Sequence, residues 1–240
     1  MQDLKPLNFC PELVELLASR RVCGRSGKVF EGLGAISTIN NLVTLRNLHL
    51  DLKPQRTLEV GLCFGASALL FTGLHRNAES PACRQHLAVD PFQTSVWDDA
   101  GLLQIDRAGL ESFLDFRGTY SCLELPRLFS EGARFDLVYV DGSHLFEDVF
   151  VDAYFSCRLL TEGGVVAFDD CSDPNVAKVL TFIRSNLRSS FQELALGPFR
   201  ADGGRTLRYR AAKFLGRTQL SAFRRIGPAD RNWNSDFNEF

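Results

Sequence analysis

Two apolar runs in the sequence end in acids. "FDLVYVDGSH" carries Leu137, Val138, Tyr139 and Val140 into Asp141, with His144 three residues further on. "GGVVAFDD" carries Val165, Val166, Ala167 and Phe168 into Asp169 and Asp170. If the runs are neighbouring strands, these carboxylates and an imidazole meet at one end of a sheet. Carboxylates so close repel unless a cation sits between them. Hard oxygen ligands suit Mg²⁺, with Ca²⁺ or Mn²⁺ as substitutes. A cation held there would bind a hydroxyl and lower its pKa. Histidine titrates near neutrality, so His144 is a candidate to take that hydroxyl's proton. Its alternatives are to cap the helix starting near Phe146 or to ligate the cation. Asp169 and Asp170 have a plainer alternative as caps of the following loop and helix.

A second constellation is "LEVGLCFGAS". Gly61 and Gly65 let the backbone turn tightly and approach a ligand. The helix N-terminus that follows favours an anionic group, and Ser67 adds a hydroxyl there. Set against G-x-G-x-x-G from Gly61, the second position is Cys63 and the third is Ala66. The glycine that admits a pyrophosphate is missing, which counts against NAD. Asp90 in "LAVDPF" follows the next apolar run, where an acid commonly accepts hydrogen bonds from ribose hydroxyls. Its plainer role is a cap ahead of Pro91.

These residues need a frame. "PELVELLASRRV" and "STINNLVTLRNLHLDL" have helical spacing, the second with Ser37 or Thr38 as N-cap. Strand and helix patterns then alternate: "RTLEVGL", "GASALLFTGLH", "HLAVD", "DAGLLQIDRAGLESFLDF". A short extended piece surrounds Thr119 and Tyr120, with a helix from about Leu123. "FDLVYVD", "FEDVFVDAYFSCRLL", "GGVVAFDD" and "PNVAKVLTFIRSNL" continue the alternation, and "FQELAL" and "RTLRYRAAK" close it as two strands. The pattern predicts an α/β, Rossmann-like doubly wound fold. Its sheet is expected to be mostly parallel and seven-stranded, with one antiparallel edge strand and helices on both faces. Ligands in such folds sit beyond the carboxyl ends of the strands, where Asp90, Asp141, His144, Asp169 and Asp170 all fall. Residues 1–50 are expected to pack on or cover the site, and 51–213 to form the ligand-binding domain. Residues 214–240 form an extension with Arg217, Arg224, Arg225 and Arg231 among Phe214, Phe223, Trp233, Phe237 and Phe240. That extension reads as a lid, a dimer arm or a surface segment.

Composition narrows the classes. The chain has 240 residues, a net charge of −2 and 45% hydrophobic residues, which suits one large globular domain and argues against a nucleic-acid surface. No stretch approaches the roughly 18 apolar residues of a membrane span. "MQDLKPLNFC" has no apolar core, so no secretory signal is expected. The seven scattered cysteines include no C-x-x-C pair, which predicts reduced thiols and a cytoplasmic protein. His49, His75 and His86 read as surface or packing residues.

"TLEVGLCFGAS", "AVDPF", "FDLVYVDGSH" and "GGVVAFDD" occur in an order that resembles class I S-adenosylmethionine-dependent methyltransferases. The similarity is closest to small-molecule O-methyltransferases of the catechol and the sugar or cephalosporin-tailoring types, over roughly residues 30–190. It implies transfer of a methyl group to a hydroxyl of a small molecule, with sugars or natural products favoured over catechols. It implies S-adenosylmethionine bound by Gly61, Ser67 and Asp90, with Gly65 and Asp141 beside it. "YSCLELPRL" resembles the block next to the adenine, which adds Ser121; Glu59 is carried over from the start of the glycine block. A divalent cation, Mg²⁺ in the first instance, is implied at Asp141, Asp169 and Asp170. The related patterns there are Asp, Asp, Asn or Asp, Glu, Asp, and this chain matches neither fully. At the offset of His144 the catechol type carries a lysine base and some sugar enzymes a histidine. A homo-oligomer through the N-terminal helices or the extension fits this reading. The contrasting reading is a non-catalytic S-adenosylmethionine-binding or assembly protein of the same fold.

Overall fold

The computed structural model describes residues 4–201, 203–215 and 218–240; Arg217 and the first three residues lie outside them. In chain order the helices and strands are α1 (Pro11–Ser19), β1 (Arg21–Cys23), β2 (Val29–Glu31), α2 (Ile39–Leu52), β3 (Arg56–Val60), α3 (Ala66–Arg76) and β4 (Gln85–Val89). They continue with α4 (Ala100–Arg107), β5 (Leu114–Arg117), α5 (Ser121–Ser130), β6 (Phe135–Val140), α6 (Phe146–Leu159) and β7 (Leu160–Phe168). The last are α7 (Pro174–Asn186), β8 (Phe191–Glu193), α8 (Leu207–Phe214) and β9 (Ser221–Arg225).

Seven strands form one sheet in the order β5-β4-β3-β6-β7-β9-β8. Strands β5, β4, β3, β6 and β7 pair in parallel, and β9 is antiparallel to both of its neighbours. Leu137–Val140 of β6 and Val165–Phe168 of β7 read as unbroken apolar runs because helices cover both faces. Leu58, Val60, Val138, Val140, Val166 and Phe168 point to one core, and Leu137, Tyr139, Val165 and Ala167 to the other. Val60 lies level with Val89 and Val140, and Val140 with Phe168. That register brings Gly61, Asp90, Asp141 and Asp169 to one rim. The strand order reverses between β3 and β6, which is where open α/β sheets bind ligands.

The expected architecture is present, with local corrections. Helix α1 stops at Ser19, where Arg20 turns left-handed at φ 49°, and Arg21–Cys23 pairs with Val29–Glu31 as a hairpin. The long helix expected before Thr119 breaks at Gly109, φ 63°, and its end is strand β5. "RTLRYRAAK" alternates like a strand but contributes helix α8, with Leu207 exposed. The strand beside β7 is instead β9, inside the expected extension, because Ala222 and Phe223 are the residues that bury. The reversed strand therefore lies one place in from the edge. Beyond it the chain returns along α7, where Asn186 and Asn238 exchange two hydrogen bonds of 2.8 and 2.9 Å.

His49, His75 and His86 are all core residues. Thr57 Oγ1 lies 2.8 Å from both His75 Nε2 and His86 Nδ1, and the His49 and His75 rings are 5.0 Å apart. Burial disfavours the imidazolium, pulling His49 down to about 3 and His75 to about 2. Among the described residues no helix is long and apolar enough to cross a membrane.

Candidate active site

The rim closes around glycine. Gly61 has φ 91°, and a Cβ there would lie 2.3 Å from the Asp141 carbonyl oxygen. Only glycine lets the ends of β3 and β6 approach so closely. Asp90, at the end of β4, is buried and ties the turn down. Its Oδ2 accepts from Leu62 N at 3.2 Å, Cys63 N at 2.8 Å and Gln93 Nε2 at 3.0 Å, and its Oδ1 from Phe92 N at 2.7 Å.

A cavity of about 820 Å³ runs along the rim. Gly61, Asp90, Ser121, Asp141, His144, Asp169 and Asp170 all line it. Ser121 opens α5 and hydrogen-bonds the buried Asp152 carboxyl, which burial lifts to about 6. Three residues expected to touch a cofactor do not reach the cavity. Glu59 is fully buried within the sheet, with Oε1 3.2 Å from His86 Nε2, because period-two alternation turns it into the core. Gly65 caps α3 at φ 83° against the backbone of Gly101, and Ser67 is buried in the first turn of the same helix.

Asp90→Ala is therefore expected to act twice. It removes the acceptor that gathers the turn's N–H groups, and charge-assisted hydrogen bonds worth about 1.5–3 kcal/mol each. Calorimetry with S-adenosylhomocysteine should show at least a tenfold loss of affinity, about 1.4 kcal/mol. Unchanged affinity in a folded variant would remove Asp90 from the ligand's site.

The acids do not meet as expected. Tyr139 and Asp141 share a sheet face by alternation, and register puts Asp169 beside them. The buried Tyr139 hydroxyl sits between the carboxylates, 2.9 Å from Asp141 Oδ2 and 2.6 Å from Asp169 Oδ2. Ser37 Oγ lies 2.8 Å from that hydroxyl and 3.0 Å from Asp141 Oδ2. Asp169 Oδ1 accepts from Asn41 Nδ2 at 2.7 Å and from Asp170 N at 2.8 Å. Desolvation and the Asp169 charge push Asp141 well above the usual carboxylate range, and desolvation raises Asp169 as well. Such a crowded pair is relieved by a proton or by a positive group in the cavity.

The Asp170 side chain makes no hydrogen bond within that cluster. Its backbone is left-handed at φ 49°, which turns the side chain to His144, with Oδ2 3.0 Å from Nε2. Gln219 Nε2 donates to Asp170 Oδ1 at 3.3 Å. Among the described residues no three acidic, histidine or cysteine side chains converge as ligands of one ion. The expected Mg²⁺ set of Asp141, Asp169 and Asp170 does not fit this arrangement. Protein donors occupy the oxygens of Asp169, and Asp170 faces away from it. His144 is not a helix cap either: the residue before α6 is Leu145, and no side chain caps that helix.

Sequence reading missed Tyr139, Ser37, Asn41 and Gln219. Tyr139 alone left a signal, as a polar-tipped residue two before the acid and hence on the same face. Of the paired candidates for the cap of α2, Thr38 accepts from Asn41 N at 3.2 Å, which frees Ser37 for the acid cluster.

A methyltransferase-domain family model, Methyltransf_24, matches residues 58–171. Among solved structures, the O-methyltransferase TomG of Streptomyces achromogenes, involved in tomaymycin synthesis and bound to SAM, is 18% identical at TM-score 0.56, covering 81% of this chain and 82% of its own. An O-methyltransferase from Bacillus cereus in complex with SAH is 15% identical at TM-score 0.60, covering 95% and 92%. The SAH-bound methyltransferase PaMTH1 of Podospora anserina is 17% identical at TM-score 0.57, covering 89% and 87%. No curated protein matches the sequence. Identities this low speak for the fold, and the family model speaks for the domain. Residues 58–171 thus match a methyltransferase-domain model, and the chain shares the fold of these solved O-methyltransferases.

Proposed function

We propose that the chain transfers the methyl group of S-adenosylmethionine to a hydroxyl of a small molecule, with His144 as the base. The observation that carries this is a histidine paired with a carboxylate at 3.0 Å, on the wall of the cavity bounded by the Gly61 turn. Gly61, Asp90 and Ser121 form the side for the adenosyl group. Asp141, half-buried and crowded by Asp169, favours a positive group beside it. When bound, S-adenosylmethionine supplies a sulfonium methyl, which passes to the acceptor oxygen's lone pair as the carbon–sulfur bond breaks and leaves a neutral thioether.

The protein's part is alignment and proton removal. Ser37, Thr38, Asp169 and Gln219 bring hydroxyls, a carboxylate and an amide to the cavity wall. Such walls favour a sugar or another polyhydroxylated natural product over a flat catechol. TomG's part in tomaymycin synthesis supports the natural-product reading. The side chains as arranged do not fit a cation, so no step is assigned to one.

The test is incubation with S-adenosylmethionine and a panel of methyl glycosides, hydroxylated natural products and catechols, read by mass spectrometry. At least one acceptor should gain a methyl group as S-adenosylhomocysteine accumulates. Tight cofactor binding with no methylated acceptor would favour the assembly reading; no binding at all would overturn both.

A further inference from the structure

Resting on that reading, we propose that Asp170 is the positioning residue of His144 and not a metal ligand. Its Oδ2 lies 3.0 Å from His144 Nε2, so the N–H on Nε2 donates to the carboxylate. That leaves Nδ1 with its lone pair to accept the acceptor's proton. As the proton arrives, the imidazole becomes an imidazolium whose charge the adjacent carboxylate balances. The two nitrogens of a histidine divide their work in this way whenever one is tied to a fixed acceptor.

Both partners are held. The left-handed backbone at Asp170, φ 49°, is what turns its side chain away from Asp141 and Asp169. Its carbonyl accepts from Asp173 N at 2.8 Å, and its second oxygen from Gln219 Nε2. Gln219 is itself fixed, because its carbonyl accepts from Cys171 N at 2.9 Å and its side-chain oxygen accepts from Ser172 Oγ. His144 is held from the other side, its carbonyl accepting from Asn175 Nδ2 at 2.9 Å. Gln219 thus links the segment ahead of β9 to the carboxylate that holds the base.

Two variants separate this role from cation binding. Asp170→Asn keeps an oxygen that can ligate a metal, tolerates the left-handed backbone and loses the charge that holds the imidazole. Asp170→Gly keeps the turn and removes the side chain altogether. If Asp170 positions His144, both variants should lose about 100-fold or more in kcat, where the same amide change in the orienting acid of a serine-protease triad costs roughly 10⁴-fold. KM for the methylated acceptor of the panel and the affinity for S-adenosylhomocysteine should stay within about threefold, and neither a chelator nor added Mg²⁺ should change the result. Nitrogen-15 spectra of the histidine rings need no acceptor. They should show His144 as a single tautomer protonated on Nε2 in the wild type and as a mixture in Asp170→Gly. Near-wild-type turnover in Asp170→Asn with loss only in Asp170→Gly, or turnover restored by Mg²⁺, would overturn the proposal in favour of a ligand. An unchanged tautomer in Asp170→Gly would overturn it as well. Full turnover in His144→Ala would instead remove the base itself, which distinguishes failure of the parent reading.

Discussion

Replacing His144 with alanine is expected to lower turnover by roughly 10²–10⁴-fold, the usual contribution of a positioned general base. Binding of S-adenosylhomocysteine should change little, because its proposed contacts are Gly61, Asp90 and Ser121 and do not include His144. Stability should change little too. The His144 side chain is 49% exposed and Asp170 38% exposed, and ion pairs so open to water contribute little. The loss should therefore appear in kcat. Near-normal turnover at saturating cofactor and acceptor would end the assignment. A large fall in melting temperature would mean instead that His144 is structural.

The second large effect lies in the core, away from the chemistry. His49 is buried with neither ring nitrogen hydrogen-bonded, beside Phe71 and His75. Its pKa falls from 6.5 to about 3, first by burial and then by the charges of Arg84 and His86. The unfolded chain therefore binds a proton that the folded chain refuses between those values. A depressed folded pKa contributes stability that is present above pH 6.5 and is lost as pH falls towards 3. The slope is about 1.4 kcal/mol per pH unit. His49→Leu conserves volume and cannot take up that proton. It should be at least as stable as the wild type at pH 7.5, since two unsatisfied buried nitrogens are gone. Its advantage should grow by about 2–3 kcal/mol between pH 7.5 and pH 4.5, measured by urea unfolding of both proteins. The raised carboxyls, Asp152 at about 6 and the Asp141–Asp169 pair, act in the opposite sense and drop out of the difference. A difference that does not vary with pH would show that His49 is hydrated in solution.

Elements were legible where one local rule decided them. Continuous apolar runs marked β6 and β7 because strands covered on both faces have little polar side to interrupt them. Glycines at 61 and 65 marked the turn because few other residues take positive φ. "RTLRYRAAK" misled because its alternation fits a strand, while its alanines and arginines favour a helix when no neighbour offers a strand edge. The available edge beside β7 went to Ser221–Arg225, whose Ala222 and Phe223 fill both cores. That choice depends on contacts across the whole sheet and leaves no trace in a local window.

The sequence by itself determined that acids and a histidine would stand at the carboxyl ends of adjacent strands beside a glycine turn. Strand period and parallel order suffice for that. Only the tertiary structure decided what each acid faces. Register placed the Tyr139 hydroxyl between Asp141 and Asp169, and α2 brought Ser37 and Asn41 to the same pair. A single left-handed residue turned Asp170 out of the cluster and onto His144. Side-chain partners at a rim are set by distances of a few ångströms between segments far apart in the chain, and residue types alone do not encode them.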